Sequence, residues 1–296
     1  MLTWYDPGPE WDRLCGAAPF EMSAAYGAAA EAQGARVWRL GLGDPGDPDG
    51  LAQIVSRGVG PVRLGLLPRG VLWRRPPGAE AAARLQRELP GFVWLLHAGH
   101  DGRIVAPGRT VARLDLAGDP RARMAKSWRN ALTRAGRQGL CVFVETGCPD
   151  WLIRAEAAIR RARGVRGLPG GWVRSLARAA PGCLETLVAY RDGAPLGAMC
   201  FARHGAGATY LLGWNGAQGR RLGAHQLLLD RAMARLRDRG ADALDLGLID
   251  PERCPGLTRF KLGAGGRPVD IPATRLLAPL WRPRRSPPRL ARIGAG

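Results

Sequence analysis

The sequence predicts an α/β (α+β) chain of two β-rich halves, each a mixed, mostly antiparallel sheet flanked by helices. Three observations predict it. Arg36–Leu42, Leu51–Arg57, Val62–Leu67 and Val71–Arg74 are short apolar or alternating runs separated by turn residues, as in a meander. Leu184–Arg191 and Ala194–Arg203 meet at Asp192-Gly193, a strong hairpin signal, and Ala208–Trp214 adds a third antiparallel strand. The amphipathic stretch Gly219–Gly240 then leads into an apolar strand, Ala243–Leu248.

In chain order, residues 1–20 are an irregular, aromatic-dotted lead-in. Ser23–Gln33 has helical character and is closed by Gly34. The run GDPGDPDG at 43–50 is a loop. After the four short strands, Ala79–Glu88 reads as a helix and Gly91–Leu96 as a strand, while Leu96–Pro107, with His97 and His100, reads as a loop. Thr110–Leu116 is a strand. A basic helix spans about Asp119 to Gly139, with Asp119 as N-cap and Pro120 in the first helical position. The strand Leu140–Glu145 and two helices, Pro149–Arg163 and Gly171–Ala179, lead to the hairpin. Phe260-Lys261 reads as the end of a strand, and 262–280 as further strands. The tail from Trp281 is rich in Pro and Arg and has little to bury.

Hydrophobic residues make up 46% and charged residues 23%, which suits a packed core and argues against global disorder. The 296 residues suit two ordinary domains, with boundaries at 1–115 and 116–280 and a basic tail at 281–296. No apolar run approaches the ~18–20 residues of a membrane span, and Met1–Trp11 lacks a signal-peptide pattern, so a cytoplasmic location is expected. The six cysteines form no C-x-x-C pair, which disfavours a zinc site and fits free thiols.

The net charge of +19 points to an anionic partner: tRNA, a nucleotide-linked precursor, or an acidic membrane surface touched transiently. Compositional bias toward arginine is the competing account of the total. Local clusters at Arg121–Arg137 and Arg282–Arg292 favour a partner, because bias alone scatters arginine. Lys126 and Lys261 are the only lysines. Arginine replaces lysine at most solvated positions, but not where a compact ammonium must fit or change its protonation.

The stretch RRLGAH (220–225) before the long helix resembles the donor-binding turn of the GNAT acyltransferase superfamily, whose backbone amides hold a pyrophosphate. His225 stands where that motif has a small residue. The closer resemblance is to the Fem-like branch, the peptidoglycan-bridge aminoacyltransferases and their relatives. LLPRGVLW (66–73), KSWRNALTRAGRQGL (126–140), GAHQLLLDRAM (223–233) with ALDLGLID (243–250), and GLTRFKLGAGG (256–266) are similar to that branch's elements in order and spacing. The resemblance spans about residues 20–266 and implies tandem GNAT-like domains, the first of them degenerate. No stretch has room for the helical arm that some members carry.

The resemblance implies an enzyme that moves an acyl or aminoacyl group onto a primary amine, on a small molecule or a cell-wall precursor. No tightly bound cofactor is expected; acyl-CoA or aminoacyl-tRNA would serve as donor substrate. Such transfer needs a neutral amine, a stabilised oxyanion and substrates held in line. Lys261 is the candidate cation for the donor or the oxyanion, and Asp245, a carboxylate in an apolar strand, the candidate base. An ordinary lysine and a structural hydrogen-bond acceptor are the competing readings of these two. Arg220, Arg221, Gly223, Ala224, His225 and Phe260 are candidate donor contacts. Arg220 and Arg221 sit beside a helix start, where basic charge opposes the dipole. Arg69, Lys126 and Arg129 are candidate contacts for an anionic acceptor. The alternative to an enzyme is a catalytically inactive GNAT pair that binds an anionic ligand or nucleic acid. A P-loop, a dinucleotide fingerprint and a G-x-S-x-G elbow are all missing from the sequence.

Overall fold

A computed structural model describes residues 2–59, 62–76, 93–97, 103–164 and 167–277. The expected helix at 79–88, His100 and the tail 281–296 lie outside the described residues.

The first half runs β1 (Leu2–Tyr5), α1 (Pro9–Cys15), α2 (Ala24–Glu31), β2 (Arg36–Gly43), β3 (Pro48–Val59), β4 (Val62–Leu67), β5 (Leu72–Trp73), β6 (Val93–His97) and β7 (Arg103–Ala106). The second runs β8 (Arg109–Asp115), α3 (Lys126–Gly136), β9 (Cys141–Thr146), α4 (Asp150–Ala162), α5 (Gly170–Ala179), β10 (Leu184–Arg191), β11 (Ala194–His204), β12 (Gly207–Asn215), α6 (Ala217–Leu222), α7 (Ala224–Asp238), β13 (Ala243–Ile249), α8 (Pro255–Gly263), β14 (Arg267–Ile271) and β15 (Thr274–Leu277).

Two mixed sheets result. The first has the order β1-β2-β3-β4-β6-β15-β7, with β5 on β3; the second has the order β14-β8-β13-β12-β11-β10-β9. Pairing is antiparallel except for β4 with β6 and β12 with β13. The hairpin turn is as the sequence predicts: Asp192 and Gly193 both take positive φ, 52° and 77°, the type I′ geometry that matches strand twist.

The second sheet carries the larger core. On one face Leu114, Met199 and Phe201 pack against Leu228, Leu229 and Leu236 of α7 and Trp128 of α3. On the other, Leu184, Val188 and Leu212 pack against Leu152 of α4 and Leu176 of α5, and Phe20 and Ala29 from the first half join this cluster. Phe20 also lies 5.2 Å from the buried His204 ring, and Gln33 donates to Ser175 Oγ at 2.5 Å. These contacts bring the segment holding Glu21 against the second sheet.

Five expectations change. Residues 1–20, expected to be irregular, hold β1 and α1, because β1 pairs with β2 and Trp11 and Leu14 of α1 are buried. The basic helix over 119–139 is broken: Pro120–Arg123 is a 3-10 turn, and α3 starts only at Lys126. Met124 is buried, and the Ala125 N–H donates to the Gly263 carbonyl, so packing on α8 draws the chain out of helix there. The helix over 219–240 splits at Gly223, which takes φ +74°. Phe260-Lys261 lie within helix α8, opened by Pro255 in its first turn, and not at a strand end. The loop expected over 96–107 contains the end of β6 and all of β7, because β15, far along the chain, pairs with both.

Candidate active site

The candidate site lies where β13 stops being an ordinary strand. β12 and β13 pair at Gly207/Ala243, Ala208/Leu244 and Thr209/Asp245, although β12 continues to Asn215 and β13 to Ile249. Beyond Asp245 the two parallel strands have no ladder between them. On its other side β13 pairs with β8, and the register steps from Asp245/Arg113 to Leu248/Val111. The extra residue is a bulge at Leu246-Gly247, with Gly247 at φ +77°.

The bulge fixes Asp245. Its Oδ1 accepts from the Gly247 N–H at 2.6 Å, and Arg69 Nη2 lies 3.8 Å from Oδ2. The same Arg69 nitrogen lies 3.0 Å from Glu21 Oε1. The Arg113 guanidinium, opposite Asp245 in the ladder, also acts on the carboxylate and donates to the Ala17 carbonyl. Burial raises the Asp245 pKa above the ordinary carboxylate value; the Gly247 hydrogen bond and the two arginines oppose that shift, and Glu21 adds to it.

Lys261 approaches from α8. It is 5% exposed, and Nζ donates to the Leu248 carbonyl at 2.7 Å. Burial pushes its pKa down to about 8, with Asp245 and Cys254 acting in the opposite direction. An ammonium carries three donors, so two remain for other acceptors beside the Leu248 bond. A Cβ on Gly247 would lie 3.7 Å from Nζ, so the bulge brings bare backbone beside the ammonium. Thr258 Oγ1 accepts from the Asp250 N–H at 3.0 Å and ties α8 to the loop after β13.

The structure thus brings together Lys261, Asp245 and Arg69 from far-apart stretches. It places Phe260 differently: its ring packs on Trp128 at 5.8 Å and on His225 at 6.2 Å, as a wall behind Lys261. His225 Nε2 lies 2.9 Å from the Trp214 carbonyl, so Nε2 carries the proton in that bond. Burial lowers the pKa of this imidazole. The ring lies against β11 and β12 and pins the first turn of α7 to the end of β12.

Arg220 and Arg221 occupy the last turn of α6, not a helix start. Their charge therefore complements the dipole at that end and reverses the expectation of a small penalty. Arg220 Nη1 donates to the Asn215 carbonyl at 2.6 Å. Ala224 is buried in the core. Lys126 and Arg129 are exposed on α3, with Arg129 bonded to the Met124 carbonyl, and among the described residues no hydrogen bond or ion pair joins them to the cluster around Asp245.

Gly223 is fixed twice over. It holds left-handed backbone, and a Cβ there would lie 2.9 Å from the Ala135 Cβ of α3. Gly223→Ala is expected to cost about 2 kcal/mol, from left-handed strain plus the contact. Urea denaturation with unchanged m-value measures it, and an unchanged midpoint rejects this account.

Sequence reasoning missed Glu21, Arg113 and Gly247. Glu21 gives no local signal, because its role depends on the lead-in folding over the second sheet. Gly247 gives one: glycine inside an apolar strand marks a bulge or a close backbone approach.

Residues 121–262 match the family model of the Acetyltransferase (GNAT) domain. No curated protein matches the sequence. The solved structure of FemX is similar with a TM-score of 0.71 at 13% identity, over 93% of this chain and 98% of FemX. A conserved protein of unknown function from Bacteroides thetaiotaomicron VPI-5482 is similar with a TM-score of 0.57 at 11% identity, over 92% of this chain and all (100%) of that one. At such identities the likeness is one of fold. Among the described residues no helix is long and apolar enough to cross a membrane, and no cluster of His, Cys, Asp and Glu is arranged to hold a metal ion.

Proposed function

We propose that this chain, an acyltransferase that carries a GNAT acetyltransferase domain in a Fem-like fold, moves an acyl or aminoacyl group from an activated donor onto a primary amine at the end of β13. The observation that carries the reading is the parting of β12 and β13 at Asp245, with the Lys261 ammonium beside the opening. A donor carbonyl seated in that gap lies between a base and a cation.

In this mechanism Asp245 takes the proton of the acceptor ammonium or of the attacking amine. Burial makes its carboxylate more basic than an exposed one, and Gly247 fixes its orientation. The amine nitrogen attacks the acyl carbonyl carbon, and the Lys261 ammonium donates to the developing oxyanion. Collapse breaks the bond to the donor's sulfur or ribose oxygen, which leaves with a proton. Phe260 and His225 wall the donor side. Arg220, Arg221 and Gly223, at the junction of α6 and α7, are the proposed contacts for donor phosphates; the fully buried Ala224 is not one of them. The first half, as the degenerate domain, supplies Glu21 and Arg69 to the acceptor side; the second half forms the transferase domain, with β8 in its sheet although β8 precedes residue 116, and with β15 lent to the first sheet although it follows that boundary. The exposed Lys126 and Arg129 are assigned to a larger anionic partner, not to the reacting amine.

Transfer is tested by mass spectrometry of products from a panel of primary amines, with acetyl-CoA or charged tRNA as donor. Absence of product with both donors overturns the transferase reading and favours the non-catalytic pair. The donors separate by calorimetry. A 1:1 signal for coenzyme A that changes little with salt assigns acyl-CoA. A steep loss of affinity between 50 and 200 mM salt, by about 10³ or more if six or more phosphates are contacted, assigns tRNA.

A further inference from the structure

The face of the second sheet that looks toward the first half carries two adjacent rows of contrasting chemistry. Residues directly opposite in a ladder share a face, as do residues i and i+2. Asp245, Arg113 and Arg267 are opposite one another across β13, β8 and β14 and form one row. Arg113 and Asp245 both reach first-half groups, Ala17 and Arg69, so this row faces the first half. The next row on the same face is Leu248, Val111 and Val269. It is entirely apolar.

Val111, in the middle, is 4% exposed, whereas Leu248 is 45% and Val269 42% exposed. The flanking side chains are thus open to solvent beside a polar, partly buried site. Leu248 belongs to both, because its carbonyl holds Lys261 while its side chain stands in the strip. On α8, Leu257 is 45% exposed and lies one turn before Lys261 on the same helix face. The strip also lies on the β8 side of β13, opposite the gap toward β12. A donor in the gap leaves this face to the acceptor.

We infer that the acceptor is an amphiphilic primary amine: its amino group meets Asp245, and an aliphatic chain lies against Leu248 and Val269, the two open side chains that flank the covered Val111. The inference rests on the transferase reading for the word acceptor, but the strip itself does not. A short polar amine would leave the strip wet, whereas each methylene laid on it is removed from water at about 0.8 kcal/mol when fully buried, close to fourfold in affinity.

The test is calorimetric titration with the n-alkylamine series from propylamine to octylamine, with KM for transfer measured on the same series. Affinity should rise about two- to threefold per methylene, since the strip is open on one side. Val269→Asn should flatten that dependence, and Val269→Leu, which extends the strip, should steepen it and serves if the first variant folds poorly. Affinity independent of chain length, or slopes identical in wild type and both variants, overturns the inference. Transfer without length dependence overturns it alone. Length-dependent binding without transfer to any amine overturns the transferase reading and leaves the strip as a binding site.

Discussion

Lys261→Met is expected to lower the transfer rate by about 10²–10³ and at the same time to make the protein more stable. The rate loss is that of removing one positioned oxyanion donor. The stability gain follows from the pKa. Burial pulls the Lys261 value from 10.5 to about 8, so the folded chain disfavours the ammonium by roughly 3 kcal/mol. Methionine keeps the length of the side chain and loses the charge. It also loses the hydrogen bond to the Leu248 carbonyl, worth about 1 kcal/mol. The net gain is about 2 kcal/mol. Its pH dependence has a fixed sign. Because the folded-state pKa lies below the unfolded one, the unfolded chain binds more protons between about 8 and 10.5. The wild-type penalty is complete below pH 8 and fades as pH rises through that window. Urea denaturation of both proteins at pH 7 and pH 10 therefore should show a gap that narrows with pH. A variant less stable than wild type at pH 7 would mean that the ammonium is paired in the fold, and the penalty argument fails. Wild-type activity should in turn decline above pH 8, where the ammonium is lost.

Arg69→Met is expected to reduce the rate at neutral pH by about 10- to 100-fold through Asp245 and not through lost structure. The Arg69 guanidinium lies 3.0 Å from Glu21 and 3.8 Å from Asp245 and is largely shielded from water. It lowers the Asp245 pKa, whereas Glu21 raises it. Removal leaves two partly buried carboxylates facing each other without that cation, so the Asp245 pKa climbs further and more of it is protonated, and inactive as a base, at a given pH. The acidic limb of the pH–rate profile should move to higher pH. Adding Glu21→Gln to Arg69→Met removes the repulsion and should move the limb back part of the way. A merely structural Arg69 would lower the rate at every pH and leave the limb in place, and that outcome rejects the coupling.

Much of the architecture is legible from the chain alone. Asp192-Gly193 fixes its hairpin, because two residues that tolerate positive φ between alternating strands select the turn that matches strand twist. The amphipathic period of the long helix and the apolar strand after it are local signals as well. The order of the PRG, KSWRN and FK stretches points to a Fem-like GNAT fold, and the family model and the FemX likeness agree with that. Lys261 stands out as one of two lysines, and Asp245 as a carboxylate in an apolar run.

What the chain by itself determined is therefore most of the elements, the family-like order and a short roster of charged candidates. Each depends on neighbours a few residues apart. Tertiary structure decided the rest, because the deciding energies come from groups distant in sequence. Gly223 takes left-handed backbone close under Ala135 of α3, and the helix divides there. The Gly263 carbonyl captures the Ala125 N–H and helps break the basic helix. Pro255 opens a helix that a glycine-rich tail hides, and it carries Lys261 into the core. Above all, β13 leaves β12 at Asp245 and bulges against β8, and the lead-in brings Glu21 while the turn after β4 brings Arg69 to the same carboxylate. Burial and charge act there across the two halves of the chain, and no local window of sequence contains both.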